Sequence, residues 1–220
     1  MAEELRDFAD ADQLARAAAA FVLERARLAT LTGGTFHWAV SGGRTPWAMF
    51  EYLVDSTLDW VHTVLYQVDE RVAPAGDPSR NLTRLRALLA GVPVRLEAMP
   101  VNDDDLAAAA QRYGAALPER FDLVHLGLGP DGHTASLVPG DPVLHVEDQL
   151  VALSGPYQGH RRMTLTYPAL ARADQILWLV AGADKRRALA QLLGGDEGIP
   201  AGRVHCAHSL VLADRAATEQ

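Results

Sequence analysis

Hydrophobic residues recur at helical spacing in several stretches of the chain. Over residues 12–29, six apolar side chains follow an acidic first turn at intervals of three and four, which predicts an amphipathic helix. A second helix is predicted from about Pro46, with Thr45 as its N-cap and proline in the favoured first position. The same spacing predicts further helices at 82–89, 104–116 and 184–193, the last ended by two glycines.

Short apolar runs between these helices predict strands. They lie at 35–40, 61–68, 121–126, 149–154, 175–181 and 209–212, and residues 162–166 are compatible with an extended segment. The run at 175–181 is apolar on both faces, as expected of a strand covered by helices on both sides of a sheet. The alternation of strands and helices predicts an α/β fold, a single Rossmann-like domain over 1–220 with a mainly parallel sheet flanked by helices on both faces.

Composition narrows the class of protein. The chain has 220 residues, 49% of them hydrophobic and 22% charged, which excludes a disordered protein. Its formal net charge of −8 argues against a nucleic-acid partner, because binding phosphates needs a basic face. The only cysteine, Cys206, excludes an internal disulfide and fits a reducing compartment. Residues 1–7 are acidic and lack the order of a signal peptide, and no apolar run suits a membrane span, so we expect a cytoplasmic protein.

The most polar and glycine-rich segments follow the predicted strands, where α/β sheets bind their ligands. Ser41 to Pro46 holds Gly42, Gly43 and Arg44 before a helix, so backbone N–H groups and a guanidinium are available to an anion. An ordinary strand-to-helix turn remains the alternative. The segment lacks both the lysine of a Walker loop and the spacing of a dinucleotide fingerprint, so nucleotide binding is not predicted.

The segment from Gly127 to His133 favours a positioned imidazole. Pro130 and Asp131 argue against a pyrophosphate cradle, while a histidine two residues after an aspartate in a glycine-rich loop suits a general base. The alternative is a surface-loop histidine. The segment that contains His205, Cys206 and His208 has the residue types of metal ligands, but neighbouring ligands on one strand point to opposite faces, and we predict no metal site there.

Lys185 is the only lysine among 20 basic residues. Composition bias and chance can explain the skew, but a lysine in the first turn of a helix opposes the helix dipole. That conflict favours a functional role for Lys185.

In combination these segments resemble the 6-phosphogluconolactonases, in a superfamily that also contains glucosamine-6-phosphate isomerase/deaminase. The matching segments occur in the family's order at 41–46, 69–71, 81, 127–140, 162–170 and 182–185. The stretch Gly127–Gly140 is the most specific of them.

The resemblance implies hydrolysis of 6-phospho-D-glucono-1,5-lactone to 6-phosphogluconate, the second step of the pentose phosphate pathway, with no metal and no organic cofactor. Carried over by position, His133 is the general base that activates water, Asp131 orients it and Arg71 faces the substrate. The residues expected to bind the substrate or its phosphate are Ser41, Gly42, Gly43, Arg44, Asp69, Asn81, Arg162, Thr164 and Lys185. We expect a monomer or weak homodimer with a sugar phosphate lactone as its small-molecule partner.

The chain departs from the family at two places. Arg80 stands where the family often has serine, and it either contacts the substrate or faces solvent. The proline-rich run before Arg162 is replaced by residues 155–160, which leaves Arg161 as an alternative to Arg162.

Two other functions were weighed. A deaminase/isomerase has a glutamate at the position of Val138 and a tyrosine at that of Arg71, and valine cannot transfer a proton. A non-catalytic sugar-phosphate sensor is expected to carry a DNA-binding or partner segment beyond the α/β domain, for which we expect no room. Both comparisons favour the lactonase.

Overall fold

The computed structural model describes residues 4–31 and 33–219, so the first three residues of the N-terminal segment discussed above lie outside it. The strands are β1 (Glu4–Phe8), β2 (Phe36–Val40), β3 (Thr63–Gln67), β4 (Asp69–Arg71), β5 (Arg95–Glu97), β6 (Leu123–Gly127), β7 (Val151–Tyr157), β8 (His160–Leu165), β9 (Gln175–Val180) and β10 (His208–Asp214). The helices are α1 (Ala11–Thr30), α2 (Arg44–Val54), α3 (Asn81–Leu88), α4 (Leu106–Ala115), α5 (Tyr167–Leu170), α6 (Arg186–Leu193) and α7 (Arg215–Thr218).

The main sheet has seven strands in the order β1-β10-β9-β6-β2-β3-β5, and every neighbouring pair is parallel. The predicted α/β class with a mainly parallel sheet is therefore confirmed. Strand β9 is apolar on both of its faces because each face packs against helices. Ile176 and Trp178 pack with α4 and α6 on one side of the sheet. Leu177 and Leu179 pack with α1 and α2 on the other side. Alternate side chains of one strand thus belong to two cores on opposite faces of the sheet.

The chain changes direction across the sheet at β2. From β2 it continues to β3 on one side, whereas the later strands β6, β9 and β10 fill the other side. The carboxyl ends of β2 and β6 therefore lie next to each other at a topological switch point, where open α/β sheets form their ligand crevice.

A second sheet, which the sequence did not predict as such, covers one side of that crevice. Its three antiparallel strands lie in the order β4-β8-β7, and its register places Asp69 opposite Thr164 and Arg71 opposite Arg162. The extended segment expected at 162–166 is β8. Residues 69–71, which follow the strand predicted at 61–68, form β4, a strand too short to show a period of its own.

Other corrections concern element ends. α2 begins at Arg44 with Gly43 as its N-cap, so the expected Thr45 cap is wrong, and Pro46 falls third in the first turn, where its missing N–H costs nothing. Lys185 ends a separate 3₁₀ turn, Ala183–Lys185, that precedes α6. The edge strands β1 and β5 were missed because they are short and have no fully buried side chain.

Candidate active site

A cleft of about 250 Å³ lies at the switch point, at the carboxyl ends of β2, β6 and β9 and beside β4. Among the residues expected from the sequence, its lining includes Ser41, Gly42, Gly43, Arg44, Asp69, Arg71, Asn81, His133, Arg162 and Lys185. The structure therefore brings together side chains that are up to 144 positions apart in the sequence. Asp131 and Thr164 do not line the cleft.

His133 and Asp131 form a hydrogen-bonded pair at the edge of the cleft. Nδ1 of His133 lies 2.5 Å from Oδ1 of Asp131, and the same oxygen accepts the backbone N–H of His133 at 3.2 Å. Among the described residues Nε2 makes no hydrogen bond. A carboxylate at Nδ1 holds the proton on that nitrogen, which leaves the lone pair of Nε2 able to accept a proton.

The pKa of Asp131 is lowered from its ordinary value. Partial burial alone would raise this pKa, but the hydrogen bonds from His133 and the charge of the imidazole outweigh it. Asp131 therefore stays ionised and can stabilise the imidazolium that forms when Nε2 takes up a proton.

Gly129 allows the pair to pack against the loop backbone. Its N–H donates to the carbonyl of His133 at 2.8 Å, which closes the loop on itself. A β-carbon at this position would overlap the His133 ring and lie 2.7 Å from Oδ1 of Asp131. Glycine is needed here for close approach.

Asn81 connects Asp69 with Arg71. Its amide nitrogen donates to the carbonyl of Asp69 at 3.1 Å and to the carboxylate at 3.2 Å, while its Oδ1 accepts from Arg71 at 2.9 Å. Asp69 also accepts from the Ser136 hydroxyl at 2.6 Å. A β-carbon on Gly42 would collide with the Asn81 side chain, so this glycine makes room for the connection.

Glu70, which the sequence did not single out as a site residue, holds the start of α3. It is fully buried and accepts the backbone N–H groups of Arg71, Asn81 and Leu82 at 2.8 to 2.9 Å. Arg80 lies 3.6 Å from the same carboxylate and is itself buried. Arg80 therefore neither faces solvent nor lines the cleft, contrary to both expectations.

Arg162 is nearly buried, and its guanidinium lies 3.9 Å from Asp69. Burial lowers the pKa of Arg162, and the nearby charge of Arg71 adds to this effect, although Asp69 opposes it. Its Nε makes no hydrogen bond with any described residue. Arg161, the alternative left open by the sequence, is exposed and does not line the cleft.

Arg44 and Lys185 add two cationic side chains to the lining of the cleft. Arg44 stands exposed at the start of α2, where the first N–H groups of the helix have no partner within it. Lys185 is 20% exposed, and its Nζ lies 3.1 Å from Asp184. Two cationic side chains and a helix N-terminus together suit a phosphate group.

His125 contacts the backbone at the start of the Ser41–Gly43 turn. It is fully buried at β6, and its Nε2 lies 3.0 Å from both the N and the O of Ser41. Burial lowers the pKa of His125 to about 4, so the ring is neutral at physiological pH. The ring also packs on Trp38 and Phe50, which fixes the backbone where the Ser41–Gly43 turn begins.

Thr164 is placed differently from the sequence expectation. It is fully buried in β8, with its hydroxyl accepting from the Ser136 N–H at 3.2 Å and donating to the Leu165 carbonyl at 3.1 Å. Thr164 therefore joins β8 to the loop that follows His133.

His205, Cys206 and His208 lie at the opposite end of the sheet's strands from the cleft described above. A larger cleft of about 530 Å³ there includes His205, Cys206 and His208 at the amino ends of the strands. Within residues 4–31 and 33–219, no group of three or more His, Cys, Asp or Glu side chains could hold a metal ion. Across the same residues, no helix has the length and apolar character to cross a membrane.

Comparisons with known proteins agree on one family. A family model described as "Glucosamine-6-phosphate isomerases/6-phosphogluconolactonase" matches residues 9–213. The human GDH/6PGL endoplasmic bifunctional protein is 41% identical over 170 residues, covering 70% of this chain but only 22% of the human protein. The chain therefore spans about a fifth of that relative.

Other relatives match over almost their whole length. A 6-phosphogluconolactonase of Streptomyces coelicolor is 36% identical over an alignment of 239 positions, which covers 96% of this chain and 92% of that protein. The crystal structure of 6-phosphogluconolactonase from Leishmania guyanensis superposes with a TM-score of 0.88 at 22% identity, covering 100% of this chain and 98% of that one. The structural likeness shows a shared fold.

Proposed function

The chain belongs to the glucosamine-6-phosphate isomerase/6-phosphogluconolactonase family, and we propose that within it this protein hydrolyses 6-phospho-D-glucono-1,5-lactone to 6-phosphogluconate. One observation carries the proposal: the Nε2 atom of His133 is available in a cleft that Arg44 and Lys185 also line. An imidazole base and cationic side chains that line the same cleft suit a phosphorylated lactone.

The reaction begins with proton transfer to His133. Nε2 takes a proton from water as the water oxygen attacks the lactone carbonyl carbon, and Asp131 stabilises the resulting imidazolium. Negative charge develops on the carbonyl oxygen, which Arg71 stabilises, since Asn81 and the Ser79 carbonyl hold its guanidinium in place. The bond to the ring oxygen then breaks, and the ring oxygen receives the proton from His133.

The remaining cleft residues bind the substrate. Arg44 and Lys185 hold the phosphate beside the N-terminus of α2, and Asp69 with Arg162 faces the sugar hydroxyls. The proposal has three further parts. The reaction is the second step of the pentose phosphate pathway, and residues 1–220 form a single domain. The protein is a monomer or weak homodimer in the cytoplasm, a location that the acidic charge and the single cysteine support.

An assay with two lactones tests the proposed function. Purified protein is given the 6-phosphorylated lactone or unphosphorylated glucono-1,5-lactone, and acid release is corrected for spontaneous hydrolysis. We expect a much larger kcat/KM for the phosphorylated substrate. Ammonia release from glucosamine 6-phosphate without lactone hydrolysis would instead support the deaminase.

His133→Ala tests the assigned base. Because a single general base contributes about 10²–10⁴-fold, we expect kcat/KM to fall by roughly that factor. His62→Ala is the matched control, since His62 also pairs with an aspartate, Asp59 at 2.8 Å, but is exposed and outside the cleft. Equal activity of the two variants would place the base elsewhere.

A further inference from the structure

Tyr157 lies on a hairpin that bends toward the His133–Asp131 pair. It ends β7, and the next two residues, Gln158 and Gly159, have φ angles of 50° and 84°, which form a tight hairpin turn. The register between β7 and β8 is irregular between Ser154 and Tyr157. Such bulges redirect a side chain, and they are common beside active sites.

The side chain of Tyr157 contacts both members of the pair. Its hydroxyl lies 3.3 Å from Oδ2 of Asp131 and 3.3 Å from Nδ1 of His133. Because Nδ1 already donates to Oδ1, the phenol donates to the second oxygen of the carboxylate. The two rings meet edge to face, with centroids 5.1 Å apart and planes at 64°.

The same side chain also contacts Arg162. The guanidinium carbon lies 5.1 Å from the centre of the Tyr157 ring, and Nη2 of Arg162 donates to the Tyr157 carbonyl at 3.4 Å. Tyr157 therefore links the imidazole to the buried cation of the cleft.

The phenol is a donor throughout the working pH range. Burial raises the pKa of Tyr157, and the negative charge of Asp131 raises it further, although Arg162 opposes this. A neutral hydroxyl can therefore hold Asp131 whenever the carboxylate is ionised.

Resting on the proposed function, we propose that Tyr157 is a positioning residue of the lactonase reaction. Its hydroxyl fixes the second oxygen of Asp131, and its ring limits rotation of the His133 imidazole and seats Arg162. Proton transfer needs Nε2 to face the attacking water, so the loss of this support acts mainly on kcat, with a smaller effect on KM.

Tyr157→Phe removes the hydroxyl and keeps the ring. We expect kcat to fall about threefold to tenfold, the range of one net hydrogen bond, with KM nearly unchanged. Tyr157→Leu removes the ring as well, and should lower kcat further and raise KM, because Arg162 loses its support. Tyr167→Phe is the matched control: its hydroxyl donates to the Pro200 carbonyl at 3.0 Å and its ring lies under Arg203, but it makes no hydrogen bond with His133 or Asp131.

A double-mutant cycle with Asp131→Asn separates positioning from general stability. If Tyr157 acts through Asp131, Tyr157→Phe should change kcat little in the Asp131→Asn background, so the two losses are not additive. Fully additive losses, or a Tyr157→Phe variant as active as Tyr167→Phe, would overturn this inference while the lactonase function stands. An inactive wild-type protein would overturn the proposed function and this inference together.

Discussion

At Gly129 the loop backbone passes directly beneath the imidazole of His133. Gly129→Ala would push the ring and Asp131 away from their positions, because a β-carbon has no room there. We expect kcat to fall by at least about tenfold, part of the contribution of a positioned base. The measurement is kcat on the phosphorylated lactone together with the thermal unfolding midpoint.

Gly114→Ala is the control for that substitution. A β-carbon on Gly114 would meet Leu150 at 3.6 Å, an ordinary contact, and the position lies within α4. This variant should keep full activity. If Gly129→Ala also kept it, close packing of the loop would not be what positions the imidazole.

Single residues also show how far the sequence could lead. His133 and Asp131 are close in the chain, and their pairing follows from a local motif. Tyr157 contacts them across 24 to 26 positions through a bulged hairpin, and no sequence period reports such a contact. The sequence shows Glu70 only as the middle residue of the charged segment 69–71. Its hydrogen-bond donors Asn81 and Leu82 lie on α3, more than ten positions later.

At the scale of elements, α3 depends on an acidic side chain from β4. Arg80 provides no side-chain cap at its N-terminus, and Glu70 accepts the first N–H groups instead. Glu70→Ala would leave these donors without an acceptor and the buried Arg80 without its charged partner, which costs about 3–5 kcal/mol of unfolding free energy. Since α3 begins with Asn81, kcat/KM should fall as well.

Denaturant unfolding measures this loss against Glu51→Ala. Glu51 pairs with Arg84 at 3.3 Å, but both side chains are more than half exposed, so a much smaller change is expected. Equal unfolding midpoints for the two variants would contradict the role given to Glu70.

The elements also explain which parts of the fold were predictable. The buried strands and long helices have clear apolar periods, so the parallel sheet follows from the sequence. The β4-β8-β7 sheet does not, because β4 has three residues and its pairing with β8 joins segments about 90 positions apart. That sheet places Arg71 opposite Arg162, and so the geometry of the cleft was less predictable than its residues.

At the scale of the whole molecule, the proposed function requires an acidic protein to bind an anion. The formal net charge is −8, while the substrate phosphate carries about −1.5 to −2 at neutral pH, so attraction depends on cations gathered in the cleft. Arg44, Arg71, Arg162 and Lys185 line it, and Asp69 is the acidic residue in the same lining. Long-range charge opposes binding, whereas the local field favours it.

Lys185→Met tests this local field. We expect kcat/KM for the phosphorylated lactone to fall about tenfold to a hundredfold, the value of a charge-assisted hydrogen bond, with little change for unphosphorylated gluconolactone. Arg187→Met removes the same charge from an exposed residue outside the cleft, so it should leave both rates near those of the wild type. Added salt should lower the phosphorylated rate of the wild type more than that of Lys185→Met, because screening weakens an interaction that the variant has already lost. Equal losses on the two lactones would mean that Lys185 serves the chemical step or the fold, and that phosphate is bound by other residues.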